Sequence, residues 1–195
     1  MINLGIAPIG WTNDDMPELG GDITFEQCIS EMALAGYSGC EVGNKYPIHD
    51  RVYLKHMLDI RGISICNQWF SYEFSTKSFE EVKNNFINQI DFLSFFGAKV
   101  VGGAETGNSI HGIYDKPLNE RKSASDKTWN TLTNGLNELG KISLNDYGIK
   151  LSYHHHAGTM IESMDEVDRL LNETDDKYVN LNYDCGHFYL VKEDP

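Results

Sequence analysis

Positive charge is what this chain has least of: 16 Lys+Arg stand against 29 Asp+Glu in 195 residues, a formal net charge of -13. That balance repels phosphate backbones and anionic lipid surfaces, so nucleic acid and membranes are poor partners, and its plainest consequence is solubility. Cysteine is also sparse. The four present, Cys28, Cys40, Cys66 and Cys185, form no CxxC pair. This excludes a zinc ribbon or thioredoxin-type redox site and fits a reducing, cytoplasmic setting. No run nears the ~20 apolar residues of a membrane span, and Met1-Ile2-Asn3-Leu4-Gly5 lacks the basic start and apolar core of a secretion signal. A G-x-G-x-x-G turn after the first strand-like run and a Walker lysine are missing as well, which removes the usual nucleotide grips of open α/β sheets.

What is present is a repeated junction, a helical stretch ending in glycine and then a short strand-like run. It occurs at Gly36, Gly62, Gly97 and Gly148. Glycine closes a helix at little cost because it accepts the left-handed conformation. The stretches before these glycines carry helical spacing, as in Phe79, Val82, Phe86, Ile90 and Leu93, or Trp129, Leu132, Leu136 and Leu139. Capping boxes are expected at Thr24/Gln27, Ser78/Glu81 and Ser163/Glu166. Strands are read near residues 3–9, 39–43, 63–68, 99–104, 150–155 and 179–184.

Strands separated by helices pair in parallel through right-handed crossovers. Both an open doubly wound sheet and a closed barrel satisfy this. Polar residues at or near strand C-terminal ends (Glu41, Asn67, Glu105, His154, His156, Asp184) favour the barrel, whose active site collects there. The fold class expected is therefore α/β, a parallel (β/α) TIM barrel within one domain over 1–195. Eight units typically need ~250 residues. The sequence stops at Val191-Lys192-Glu193-Asp194-Pro195 just after a sixth strand, so a C-terminally incomplete barrel with about six of eight βα units is expected. A six-strand protein that closes as a homo-oligomer is the alternative.

Chemistry concentrates in two segments. In Ser152-Tyr153-His154-His155-His156-Ala157-Gly158-Thr159, alternation puts His154 and His156 on one face and His155, a core residue in this reading, on the other. Imidazole suits Mn, Co, Fe or Zn and also serves as a base near neutral pH. In Leu181-Asn182-Tyr183-Asp184-Cys185-Gly186-His187, Asp184 brings a carboxylate to the rim with His187 beyond it. A helix N-cap is the other reading of Asp184. Glu41 and Glu105 could hold hydroxyls or move protons, and Trp11, Trp69 and Phe70 could wall a ring or simply pack. The stretch Thr106–Asp126 is aperiodic, either a lid or a surface insertion.

These residues resemble the inosose dehydratases of the xylose-isomerase-like barrel superfamily. The likeness is carried by residues 5–18 (Gly-Ile-Ala-Pro-Ile-Gly-Trp-Thr-Asn-Asp-Asp-Met-Pro-Glu), Glu41-Val42-Gly43, Trp69-Phe70-Ser71, Tyr153-His154-His155-His156, Glu166-Val167-Asp168-Arg169-Leu170 and Tyr183-Asp184-Cys185-Gly186-His187, essentially the whole chain. The resemblance implies a hydro-lyase that removes water from scyllo-inosose, a cyclic polyol ketone, in inositol breakdown, with Mn or Co as metal and glutathione associated. It implies that Asp184 is a metal ligand and that His187 contacts substrate or metal. His154 stands where related isomerases have a glutamate ligand. For the reaction, His156 or Glu105 is expected as base and His187 as acid, with Trp11, Glu41, Trp69 and His187 on the substrate. A metal-dependent sugar isomerase or epimerase, an endonuclease-IV-like repair enzyme and a non-catalytic sugar-binding module are the rival readings, the repair enzyme opposed by the charge.

Overall fold

The computed structural model describes residues 3–192 and 194. Met1 and Ile2 of the start, and Glu193 and Pro195 of the tail, lie outside them. The order is β1 (Gly5–Ile6), α1 (Phe25–Leu34), β2 (Gly39–Val42), α2 (Arg51–Asp59), β3 (Ser64–Ser71), α3 (Phe79–Phe95), β4 (Val100–Ala104), α4 (Asp126–Tyr147), β5 (Lys150–His154), α5 (Met164–Glu173), β6 (Val179–Asn182) and α6 (Cys185–Leu190). All six expected strands are present, and strand order follows chain order. Gly36, Gly62, Gly97 and Gly148 all have positive φ, 91°, 67°, 73° and 65°. At Gly148 the left-handed residue caps α4, its N–H returning to Leu144 O.

The chain divides into two compact units, one up to Trp69 with Leu93–Lys99, the other Phe70–Phe92 with Val100 onward. In the first unit β1, β2 and β3 pair in parallel, with Gly5 opposite Gly39 and Cys40 opposite Ile65, and the register shifts between Cys40 and Glu41. Phe25, Ile29 and Met32 of α1 and Leu54 and Leu58 of α2 are buried at helical spacing. The Thr24 hydroxyl caps α1, but Gln27 turns its amide to Glu31 rather than back to the cap.

In the second unit Tyr72 N–H, just past β3, donates to Ala104 O of β4. A Cβ on Gly103 would overlap the Phe70 carbonyl, so this close approach requires glycine. β4, β5 and β6 follow in parallel, Val101 opposite Leu151 and His154 opposite Asn182. Tyr72, Tyr153 and Phe86 are fully buried, with the Tyr72 and Tyr153 rings stacked 6.0 Å apart. Ser163 and Glu166 form the complete capping box at α5, which fixes where β5's connection ends.

Candidate metal centre

β5 delivers a run of three histidines to its C-terminal end, and β6 delivers Asn182 and Asp184 beside them. The expected division of faces holds, with His155 fully buried. Its ring stacks on Phe188 of α6, centroids 3.9 Å apart, and its Nε2 accepts the Asp184 N–H at 2.9 Å. This bond ties the end of β6 to β5 and places the Asp184 side chain. The cap reading of Asp184 is realised, since Oδ1 caps α6 by accepting His187 N–H at 3.0 Å, while Oδ2 lies 3.5 Å from His154 Nε2 and 3.9 Å from His187 Nε2. One ligand atom from each of His154, Asp184 and His187 falls within 4.8 Å of the others.

Electrostatics favour neutral rings around an ionised carboxylate. Burial, reinforced by His187 and His156, pulls His154 down to about 4, and burial lowers His155 and His187 as well. Burial alone would raise Asp184, but the His187 N–H and the His187 and His154 rings carry its carboxyl below the ordinary range. Neutral imidazole nitrogen and carboxylate oxygen are the donors that divalent Zn, Mn, Co or Fe accepts, so the residues fit such an ion.

Hydrogen bonds to Ala157 then set the Nδ1 roles of two of these histidines. His187 Nδ1 accepts the Ala157 N–H at 3.4 Å, so the proton of the neutral ring sits on Nε2, a donor. His156 Nδ1 bonds Ala157 O at 2.8 Å, so Nδ1 carries a proton, and in the neutral ring the lone pair is on Nε2. The His156 and His187 rings lie close together, centroids 3.7 Å apart and planes tilted by 44°. The sequence reading missed His111, which lies 5.2 Å from His156 and bonds Ser109 Oγ at 2.7 Å through Nδ1. No local pattern marks it, since the loop carrying it is aperiodic.

Glu105, expected as the alternative base, directly follows β4. It is 1% exposed, and its carboxylate accepts Phe74 N–H at 2.7 Å, Ser75 Oγ at 2.8 Å and Gly107 N–H at 2.9 Å. These bonds tie the loop after β4 to the residues that follow β3. The stretch after it is also pinned: Ile110 N–H donates to Gly158 O at 2.9 Å, and Arg121 pairs with Glu162 and Glu166, both at 2.9 Å.

The other expected substrate residues lie in the first unit. Glu41, at the end of β2, accepts Asn67 Nδ2 at 3.0 Å, and burial, with Asp14 adding repulsion, pushes it up to about 7. Trp11 Nε1 donates to Glu31 at 2.7 Å, and Trp69 lies half-buried in β3.

An aspartate and histidines gathered at the ends of adjacent parallel strands define a candidate metal-binding α/β protein. The model of the xylose isomerase-like TIM barrel family matches residues 29–195, and the chain belongs to that family. It is 54% identical over 194 residues to inosose dehydratase of Geobacillus thermodenitrificans, covering 99% of this chain and 64% of the relative. The inosose dehydratase of Glaesserella parasuis is 53% identical over 188 residues, covering 96% and 62%. The chain thus spans less than two thirds of these relatives' length. Among solved structures, the IOLI protein with a binding zinc atom superposes with a TM-score of 0.72 at 14% identity, over 99% of this chain and 66% of that one.

Proposed function

We propose that the protein acts as an inosose dehydratase in inositol breakdown, taking water from scyllo-inosose to leave a deoxy-diketone, in the cytoplasm and with Mn or Co as metal. The observation that carries this reading is the convergence of His154 Nε2 and His187 Nε2 on one oxygen of Asp184. The high identity to proteins named inosose dehydratase supports the choice of substrate. Among the described residues no helix is long and apolar enough to cross a membrane, which accords with a soluble catalyst.

His154 and Asp184 would hold the metal, which supplies Lewis acidity toward a ketone oxygen, worth several kcal/mol of barrier. His156 Nε2, with its lone pair, takes the proton next to the ketone. His187 Nε2–H donates to the departing hydroxyl. Each transfer contributes ~10²- to 10⁴-fold in rate. Glu41, Trp11 and Trp69 remain proposed substrate contacts, Glu41 being able to donate as an acid below its raised pKa. Glutathione is kept as an accessory whose need is read by omitting it.

The test is product analysis with scyllo-inosose and added Mn²⁺ or Co²⁺. A diketone absorbing in the ultraviolet is expected. An epimer with no such absorbance would replace dehydration by the isomerase or epimerase reading, and binding without turnover would leave a sugar-binding module.

A further inference from the structure

The pairing of His154 with Asn182 carries an inference that rests on reading His154 as a metal ligand. The two are register partners at the ends of β5 and β6, and Asn182 Nδ2 lies 3.3 Å from His154 Nδ1. With the amide donating, Nδ1 holds a lone pair and the neutral ring keeps its proton on Nε2, the nitrogen that faces Asp184 Oδ2 at 3.5 Å. A protonated nitrogen has no lone pair for a metal. For Nε2 to become a ligand the proton must move to Nδ1, and an acceptor must then stand where the amide nitrogen is now.

A half-turn of the Asn182 amide supplies that acceptor, because Oδ1 and Nδ2 exchange places with almost no change in shape. Among the described residues the side chain makes no other hydrogen bond to oppose the turn. Asn180, two residues earlier on the same strand, differs in that its Nδ2 is committed to Leu151 O at 3.1 Å. The partners of the neighbouring rings are fixed too. His155 accepts from Asp184 N–H, His187 accepts from Ala157 N–H and His156 donates to Ala157 O, and backbone groups cannot exchange donor for acceptor.

We propose that Asn182 is a positioning residue that sets the tautomer of His154 by turning its side-chain amide, donating to Nδ1 in the metal-free chain and accepting from it when Nε2 binds a divalent cation. The exchange balances: one proton leaves Nε2, one arrives at Nδ1, and the ring stays neutral.

Zinc titration of the wild-type chain, Asn182→Leu and Asn182→Asp, joined to long-range proton–nitrogen NMR of His154, tests this. The wild type should show Nε2–H without zinc and Nδ1–H with it. Asn182→Leu should bind zinc about 10- to 100-fold more weakly, as loss of a ligand-orienting partner does. Asn182→Asp, which only accepts, should show Nδ1–H already without zinc and bind at least as tightly as wild type. Equal zinc affinity of wild type and Asn182→Leu, or Nδ1–H in the metal-free wild type, overturns the inference alone. A wild-type chain that takes up no zinc overturns the metal-ligand reading, and the inference with it.

Discussion

Replacing Glu41 with glutamine isolates one buried acid and gives its effect a sign. The Glu41 carboxyl is pushed from an ordinary 4.5 to about 7, chiefly by burial and in part by Asp14. Below the unfolded pKa both states are protonated and the acid costs nothing. Between 4.5 and 7 the folded state keeps a proton that the unfolded state has lost, so stability falls with rising pH. At 1.36 kcal/mol per pKa unit the whole shift amounts to about 3 kcal/mol, and partial solvent access trims it to about 2. Glutamine keeps an acceptor for the Asn67 amide and never ionises. Urea unfolding of both proteins from pH 4.5 to 8 at constant ionic strength gives the difference curve, in which other groups cancel. Near pH 4.5 the two should be within ~0.5 kcal/mol, and by pH 8 Glu41→Gln should be about 2 kcal/mol the more stable. A flat difference, or a wild type that gains on the variant as pH rises, would refute the reasoning.

Three further perturbations follow from the second unit. Arg121→Met leaves Glu162 and Glu166, side chains 14% and 21% exposed, without their cation. It should lower stability by about 2–3 kcal/mol in thermal unfolding and expose residues 106–126 to protease, discounted from the cost of breaking a fully buried pair. Gly103→Ala forces a methyl into the Phe70 carbonyl and should cost ~3 kcal/mol or more, read as lost soluble yield or a large fall in the urea midpoint. His155→Phe preserves stacking on Phe188 but strands the Asp184 N–H, and should cost ~1–3 kcal/mol while weakening metal uptake through a displaced Asp184.

The scaffold was legible because its signals are local. Four glycines that must be left-handed punctuate the helices, and Phe86, Ile90, Leu132 and Leu136 repeat at the helical period and are buried. The His154 and Asp184 pairing was legible for a related reason: strand alternation fixes which side chains share a face, and parallel neighbours bring those faces together. What escaped the reading depends on contacts between distant segments. Glu105 reads as a candidate base at a strand end, and nothing local in the sequence shows that Phe74, some 31 residues earlier, donates its N–H to it. His111 reads as one polar loop residue until its ring meets His156. His155 reads as core, but its bond to the Asp184 amide, which aims the Asp184 carboxylate, has no signature in sequence.

Isothermal titration of the chain and its single variants with Zn²⁺ or Co²⁺ bears most directly on the metal centre, because His154 and His187 both carry their proton on Nε2 and only the Asn182 amide beside His154 can turn to let it move. Wild type should take up one equivalent. His154→Ala and Asp184→Ala should each weaken binding ~100-fold or more, whereas His187→Ala, which loses a donor rather than a ligand, should stay within about threefold. Undiminished binding in His154→Ala or Asp184→Ala would contradict the account.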